Sequence, residues 1–189
     1  MNEIKTILGF GASSMQGAKD SAGGFLRRLE QNLNRDSKKF NVVNLGIGGN
    51  TTRDMLARID AVEKHKPDCT IVLLGCNDLP RAGDSEPARR TSLAEYATNL
   101  KYIFPKLRSR RSIFLTSFYV QWIAEDLFVQ YMKTAKTLAA GYEIWDLFQD
   151  SRPLLPGYLA DDCAHFNDTG HQYICDHLLK ILAAKNNPL

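Results

Sequence analysis

Apolar residues gather in five short runs along the chain, at 5–10, 41–45, 69–74, 112–117 and 142–145. Each run is nearly continuous rather than alternating, the pattern of strands covered on both faces of a parallel sheet. Between the runs the period changes to three or four. Phe25, Leu26, Leu29 and Leu33 fall on one helical face, and Met55, Leu56, Ile59 and Val62 on another. Thr51 followed by Asp54 predicts a capping box at the start of the second of these helices. Ser92 with Glu95 opens a third, which carries Leu93, Tyr96, Leu100 and Ile103. A fourth is expected over 125–140, stopped by Gly141 at the C′ position. The last begins at Asn167 or Asp168 and carries Tyr173, Ile174, Leu178 and Ile181.

Strand alternating with helix predicts an α/β fold with right-handed crossovers. No repeat or linker interrupts it, and 189 residues suit a single domain, 1–189. Two polar stretches stand out: 81–90, after the third strand, and 151–164, before the last helix. In sheets of this kind ligands gather outside the C-terminal ends of the strands.

Composition narrows the function classes. The chain is 44% hydrophobic and 24% charged, ordinary for a globular protein with a sizeable core. A net charge of +3 is too weak to argue for nucleic acid, and the basic cluster Lys106, Arg108, Arg110, Arg111 reads as a solvated helix end. No apolar stretch approaches the roughly 20 residues of a membrane span. The first residues, Met1 to Lys5, do not read as a signal peptide. Cys69, Cys76, Cys163 and Cys175 form no CxxC pair, so neither a zinc site nor a disulfide framework is expected. The expected setting is a reducing cytoplasm.

The stretch GFGASSMQGAK, residues 9–19, leaves the first strand through glycines and a serine pair. It can cradle a phosphate, present a nucleophile, or serve as a tight turn. The P-loop pattern fails, because Gly11 and Gly17 have five residues between them and Ala18 precedes Lys19. The dinucleotide fingerprint fails too, because Ser14 stands where the third glycine belongs. A nucleophilic serine needs a base, a group to orient the base, and donors for the oxyanion. His65 lies among lysines at a helix end, and His171 and His177 fall on the last helix, where surface or packing roles are expected. His165 lies in a loop with Asp162 three residues before it. The glycines at 46–49 and the side chain of Asn77 supply donor types suited to an oxyanion hole at neighbouring strand ends, although each also suits a plain turn.

Together these residues resemble the GDSL, or SGNH, hydrolase family in four ordered blocks: Gly11 to Gly17, NLGIGGNTT at 44–52, Gly75-Cys76-Asn77-Asp78, and Asp162-Cys163-Ala164-His165. The resemblance implies a three-layer α/β/α sandwich on a five-stranded parallel sheet, flavodoxin-like in layout. It implies Ser13 as nucleophile, His165 as base and Asp162 as its orienting carboxylate. The oxyanion donors would be Ser13, Gly49 and Asn77. Ala12 departs from the family's aspartate, with a cost expected in turn bracing rather than chemistry, and Ser14 stays a rival nucleophile.

The reaction implied is hydrolysis of a small-molecule ester through an acyl-enzyme, with no metal or organic cofactor. Short acyl or acetyl esters, on carbohydrates among others, are expected. A lysophospholipid or thioester substrate, or an inactive binding module, is the alternative. Phe118, Tyr119 and Trp122 follow the fourth strand and are suited to stack on a sugar or line an acyl pocket, although core packing accounts equally well for at least one of them. Tyr158, with Leu154, Leu155 and Leu159, is expected to form an apolar wall beside the catalytic loop.

Overall fold

The structure is a computed structural model that describes residues 4–118, 120–151 and 155–184. In chain order the elements are β1 (Lys5–Gly11), α1 (Ser13–Gln16), α2 (Phe25–Leu33), β2 (Phe40–Gly46), α3 (Thr52–Ala57), β3 (Cys69–Leu73), α4 (Leu93–Lys106), β4 (Arg111–Leu115), α5 (Glu125–Leu138), β5 (Glu143–Trp145), α6 (Leu147–Ser151), α7 (Leu155–Tyr158) and α8 (Asp168–Ala183). The strands form one parallel sheet in the order β2-β1-β3-β4-β5.

The continuous apolar runs are explained by cover on both faces. Every residue of β3 and β4 is buried. Gly9 of β1 backs onto Leu26 of α2, while the next residue, Phe10, lies under the guanidinium of Arg58, which follows α3. Helix α2 packs with α8, and α4 packs with both α3 and α5. Residues such as Leu8, Phe10, Phe25 and Phe114 are fully buried, each contributing roughly 1.5–3 kcal/mol by leaving water. Strand β2 reads like the others in sequence but is only half-buried, because it forms a sheet edge.

The expected caps are present. Thr51 and Asp54 form the capping box, Ser92 accepts from the amide of Glu95, and Asn167 accepts from that of Gly170. Two helices end earlier than expected. Helix α5 stops at Leu138, with Gly141 beyond it at φ +84°. The expected helix through Val62 breaks after Ala57 into two short 3-10 turns. At the break Arg58 turns inward and donates to three acceptors: the carbonyls of Leu45 (2.8 Å) and Gly11 (3.0 Å) and the side chain of Asn50 (2.7 Å). Long-range hydrogen bonds thus outweigh the local helical period.

The register aligns the strand ends. Gly46, Gly11, Leu73, Leu115 and Trp145 are successive partners across the sheet. Because β2 and β3 flank β1 on opposite sides, the chain reverses direction at the β1/β3 boundary, where a crevice forms in doubly wound sheets. Ser13 follows β1 and Asn77 follows β3 at that boundary.

Candidate active site

The chain leaves β1 through Gly11, where a Cβ would run into the carbonyl of Leu73 on the neighbouring strand. Ser13 therefore rises at the strand end as the first residue of α1. Its backbone N–H is one of the helix-start donors that have no intrahelical acceptor. Ala12, at the N-cap, makes no side-chain cap bond. The turn is braced from outside instead. Arg58 holds the Gly11 carbonyl, the Asn44 amide donates to Met15 O (2.9 Å), and Gln16 Oε1 accepts from Gly48 N (2.9 Å).

Ser13 Oγ lies 2.9 Å from His165 Nε2, and His165 Nδ1 lies 2.9 Å from Asp162 Oδ2. A carboxylate only accepts, so the imidazole carries its proton on Nδ1 and presents Nε2 as an acceptor to the serine. Asp162 Oδ1 also accepts from the backbone amides of Ala164 and His165, both at 3.0 Å. These bonds fold the loop tightly, with Cys163 at φ +51°. Partial burial pushes the Asp162 carboxyl up, but the amides of Ala164 and His165 and the imidazole together hold it below its ordinary value. Ser14, 8% exposed, and Asp161, exposed, make neither contact of this relay.

The hydroxyl opens on a cavity of about 220 Å³. Gly49 and Asn77 line it together with Ser13 and His165, and so do Phe118 and Trp122. Gly49 has φ +75°. Phe118 is 2% exposed and packs on Phe166, with ring centroids 4.1 Å apart, so it serves the core and the cavity at once. Trp122 is half-buried. Tyr158 does not line this cavity; its ring lies against Tyr173, centroids 4.8 Å apart. Tyr119 and Leu154 lie outside the described residues. His171 is fully buried and His65 exposed. His177 stacks on Trp145 at 3.8 Å.

Behind Asn77 the structure is dense. Gly75 has φ +111°, and a Cβ there would come 2.6 Å from the Tyr96 hydroxyl. Asp78 is fully buried and accepts from Thr52 N (2.9 Å), Thr52 Oγ1 (2.6 Å) and Thr91 Oγ1 (2.9 Å). Burial pushes its carboxyl up to about 6, against the opposite pull of the Thr52 and Thr91 hydrogen bonds. Sequence alone gives no role to Asp78, Asn50, Arg58 or Arg81. The arginines at 81 and 90 do bracket the polar stretch after Asn77, but their targets, unlike their charge, are not written in the local pattern.

A hydroxyl hydrogen-bonded to an imidazole at the switch point of a 2-1-3-4-5 sheet is an arrangement suited to a serine hydrolase. Known proteins narrow the class. Residues 9–173 match the GDSL-like lipase/acylhydrolase family, and the chain belongs to that family of ester hydrolases. It is 30% identical over 156 residues to an acetylxylan esterase of Geobacillus stearothermophilus, spanning 74% of this chain and 70% of that protein. The fold is shared with a lipase/acylhydrolase of Enterococcus faecalis (TM-score 0.79, 22% identity, covering 95% of each chain). It is also shared with the crystal structure of an acetylxylan esterase of Geobacillus stearothermophilus (TM-score 0.78, 22% identity, covering 97% of this chain and 96% of that one). Among the described residues no helix is long and apolar enough to cross a membrane.

Proposed function

We propose that this esterase hydrolyses short acyl esters, acetyl esters of carbohydrates foremost, through an acyl-enzyme on Ser13. The reading rests on one observation: the continuous hydrogen-bonded line from Ser13 Oγ through His165 to Asp162, opening on a cavity that Gly49 and Asn77 share. Ser13 Oγ attacks the acyl carbonyl while His165 Nε2 takes its proton. The tetrahedral oxyanion receives hydrogen bonds from the amides of Ser13 and Gly49 and from Asn77 Nδ2. His165 returns the proton to the departing alcohol, and water then repeats the sequence on the acyl-enzyme. Asp162 keeps the imidazole in the tautomer that accepts at Nε2 and stabilises the imidazolium.

Size supports the short acyl group. About 220 Å³ is below the roughly 300–1,000 Å³ of pockets that enclose drug-sized ligands. Likeness to an acetylxylan esterase supports acetyl groups on a carbohydrate, and Trp122 at the cavity offers a face for a sugar ring. The test is a series of aryl esters of increasing acyl length, run beside acetylated xylo-oligosaccharides. The expected result is the highest kcat/KM for acetyl and a steady fall with chain length. A preference for long chains would move the enzyme to lysophospholipid or thioester substrates, and turnover of none would leave a binding module.

A further inference from the structure

We infer that Arg81 is a positioning residue that fixes and polarises the side-chain amide of Asn77. This rests on the oxyanion role proposed for Asn77 and extends it to the polar stretch at 81–90. Arg81 Nη2 donates to Asn77 Oδ1 at 2.8 Å. At the other end of the same amide, Asn77 Nδ2 donates to the backbone carbonyl of Asn50 at 3.1 Å. A guanidinium offers only donors and a carbonyl only acceptors. The amide therefore has one allowed orientation, since the flipped form would set NH₂ against the guanidinium and oxygen against oxygen. With one N–H bound to Asn50, the second remains for the cavity that Asn77 shares with Ser13.

The grip extends to the backbone. Arg90 Nη1 donates to Asn77 O at 2.9 Å, and Arg90 is itself held by the two carboxylate oxygens of Asp84 at 2.6 and 3.2 Å. The hydrogen bond from Arg90 pulls the Asp84 carboxyl down to about 2, so this anchor stays charged in ordinary buffers. The far side of Asn50 is fixed as well, its side chain accepting from Arg58, which also holds Gly11 O near the nucleophile. One hydrogen-bonded line thus runs from Arg81 through Asn77, Asn50 and Arg58 to the turn that carries Ser13.

Arg81 Nε is buried without a hydrogen-bond partner, and the side chain lines the cavity. The guanidinium thus reaches both Asn77 and the cavity that Asn77 shares with Ser13. A positive charge on Oδ1 draws electron density toward the oxygen and makes the N–H a stronger donor to an oxyanion.

The experiment is a double-mutant cycle with a neutral aryl acetate, reading kcat and KM separately, with thermal unfolding of each variant alongside. Asn77→Ala is expected to lower kcat about 10²–10³-fold. Arg81→Met is expected to lower kcat about tenfold or more with KM changed less than about twofold, as for partners that orient a functional side chain. In the Asn77→Ala background Arg81→Met should have no further effect, because its route to the reaction is gone. Arg81→Lys, a point charge on a flexible stem, should recover part of the loss. Should Arg81→Met fail to fold, Arg81→Lys carries the same cycle with a smaller loss. Losses that multiply in the double variant would overturn the inference. So would a rise in KM alone, which would make Arg81 a substrate contact. An Asn77→Ala enzyme with unchanged kcat would sink the oxyanion reading itself. A large loss for Asn77→Ala with none for either Arg81 variant would sink only the part given to Arg81.

Discussion

The side chains of Asp162 and His165 stand in a short surface loop and are 33% and 27% exposed. Across the cavity, Asn77 is tied to Asp78, which is fully buried and bound to Thr52 and Thr91, while Asn99 and Tyr131 brace those partners in turn. One wall is thus held mostly by bonds within a six-residue loop, 160–165, the other by contacts from three separate helices. The two jobs proposed for these walls differ in the same sense. An imidazole that takes a proton from a serine and returns it to an alcohol must serve two positions. Donors aimed at an oxyanion work best when they need no rearrangement as charge develops. The difference teaches that rigidity is concentrated where charge is to be stabilised.

Breaking the exposed wall should give the largest effect. Ser13→Ala is expected to remove about 10⁴-fold or more of the activity on an aryl acetate, while Ser14→Ala keeps most of it, as steady-state kinetics of both variants will tell. Within that wall the partners are unequal. His165→Ala should cost at least about tenfold more in kcat than Asp162→Ala, about 1.4 kcal/mol of barrier, because among the described residues the base hydrogen-bonded to Ser13 is His165. Asp161→Ala should be close to wild type, and equal losses for Asp162 and His165 would erase the ranking.

The rigid wall should answer in stability rather than in proton transfer. Asp78→Ala would leave the Thr52 amide and two threonine hydroxyls without their acceptor. At about 1–3 kcal/mol for an unsatisfied buried group, a loss of about 3 kcal/mol is expected, a Tm lowered by roughly 6–12 °C for a chain of this size. Calorimetry that found Tm unchanged would deny that wall its rigidity. The smallest effect concerns pH. His171 accepts from Phe25 N–H and donates to Ala18 O, joining α8 to the segment that follows Ser13. Burial holds its pKa below the ordinary value, so the unfolded chain takes up the proton first. Its stabilising contribution is therefore complete above about pH 6.5 and declines as pH falls below it. Tm measured at neutral and mildly acidic pH should fall less for His171→Gln than for wild type.

Much of this was legible from residue order. All five strands lie within one or two residues of the apolar runs, because strands covered on both faces leave continuous apolar segments. The caps at Thr51, Ser92 and Asn167 were legible because a cap is a local bond. Ser13, His165, Asp162, Gly49 and Asn77 were named together through the resemblance of four blocks to one family, and the structure brings the first three into one hydrogen-bonded line beside a cavity lined by the other two. What was not legible depends on distance in sequence. Arg58 breaks a helix to reach Gly11, 47 residues earlier, and Arg81 reads as loop charge until its acceptor is seen. Tyr158 stands beside the Asp162–His165 loop in sequence, yet its ring turns to α8. The half-buried state of β2 follows from its place at the sheet edge, which its own residues do not encode.

The central claim is that Ser13, and no neighbouring hydroxyl, forms the acyl-enzyme. A fluorophosphonate probe followed by peptide mapping tests it directly. The account predicts one modified residue, Ser13, with labelling abolished in Ser13→Ala and in His165→Ala slowed to near background. A label on Ser14, or none on an enzyme that still turns over aryl acetate, would contradict it.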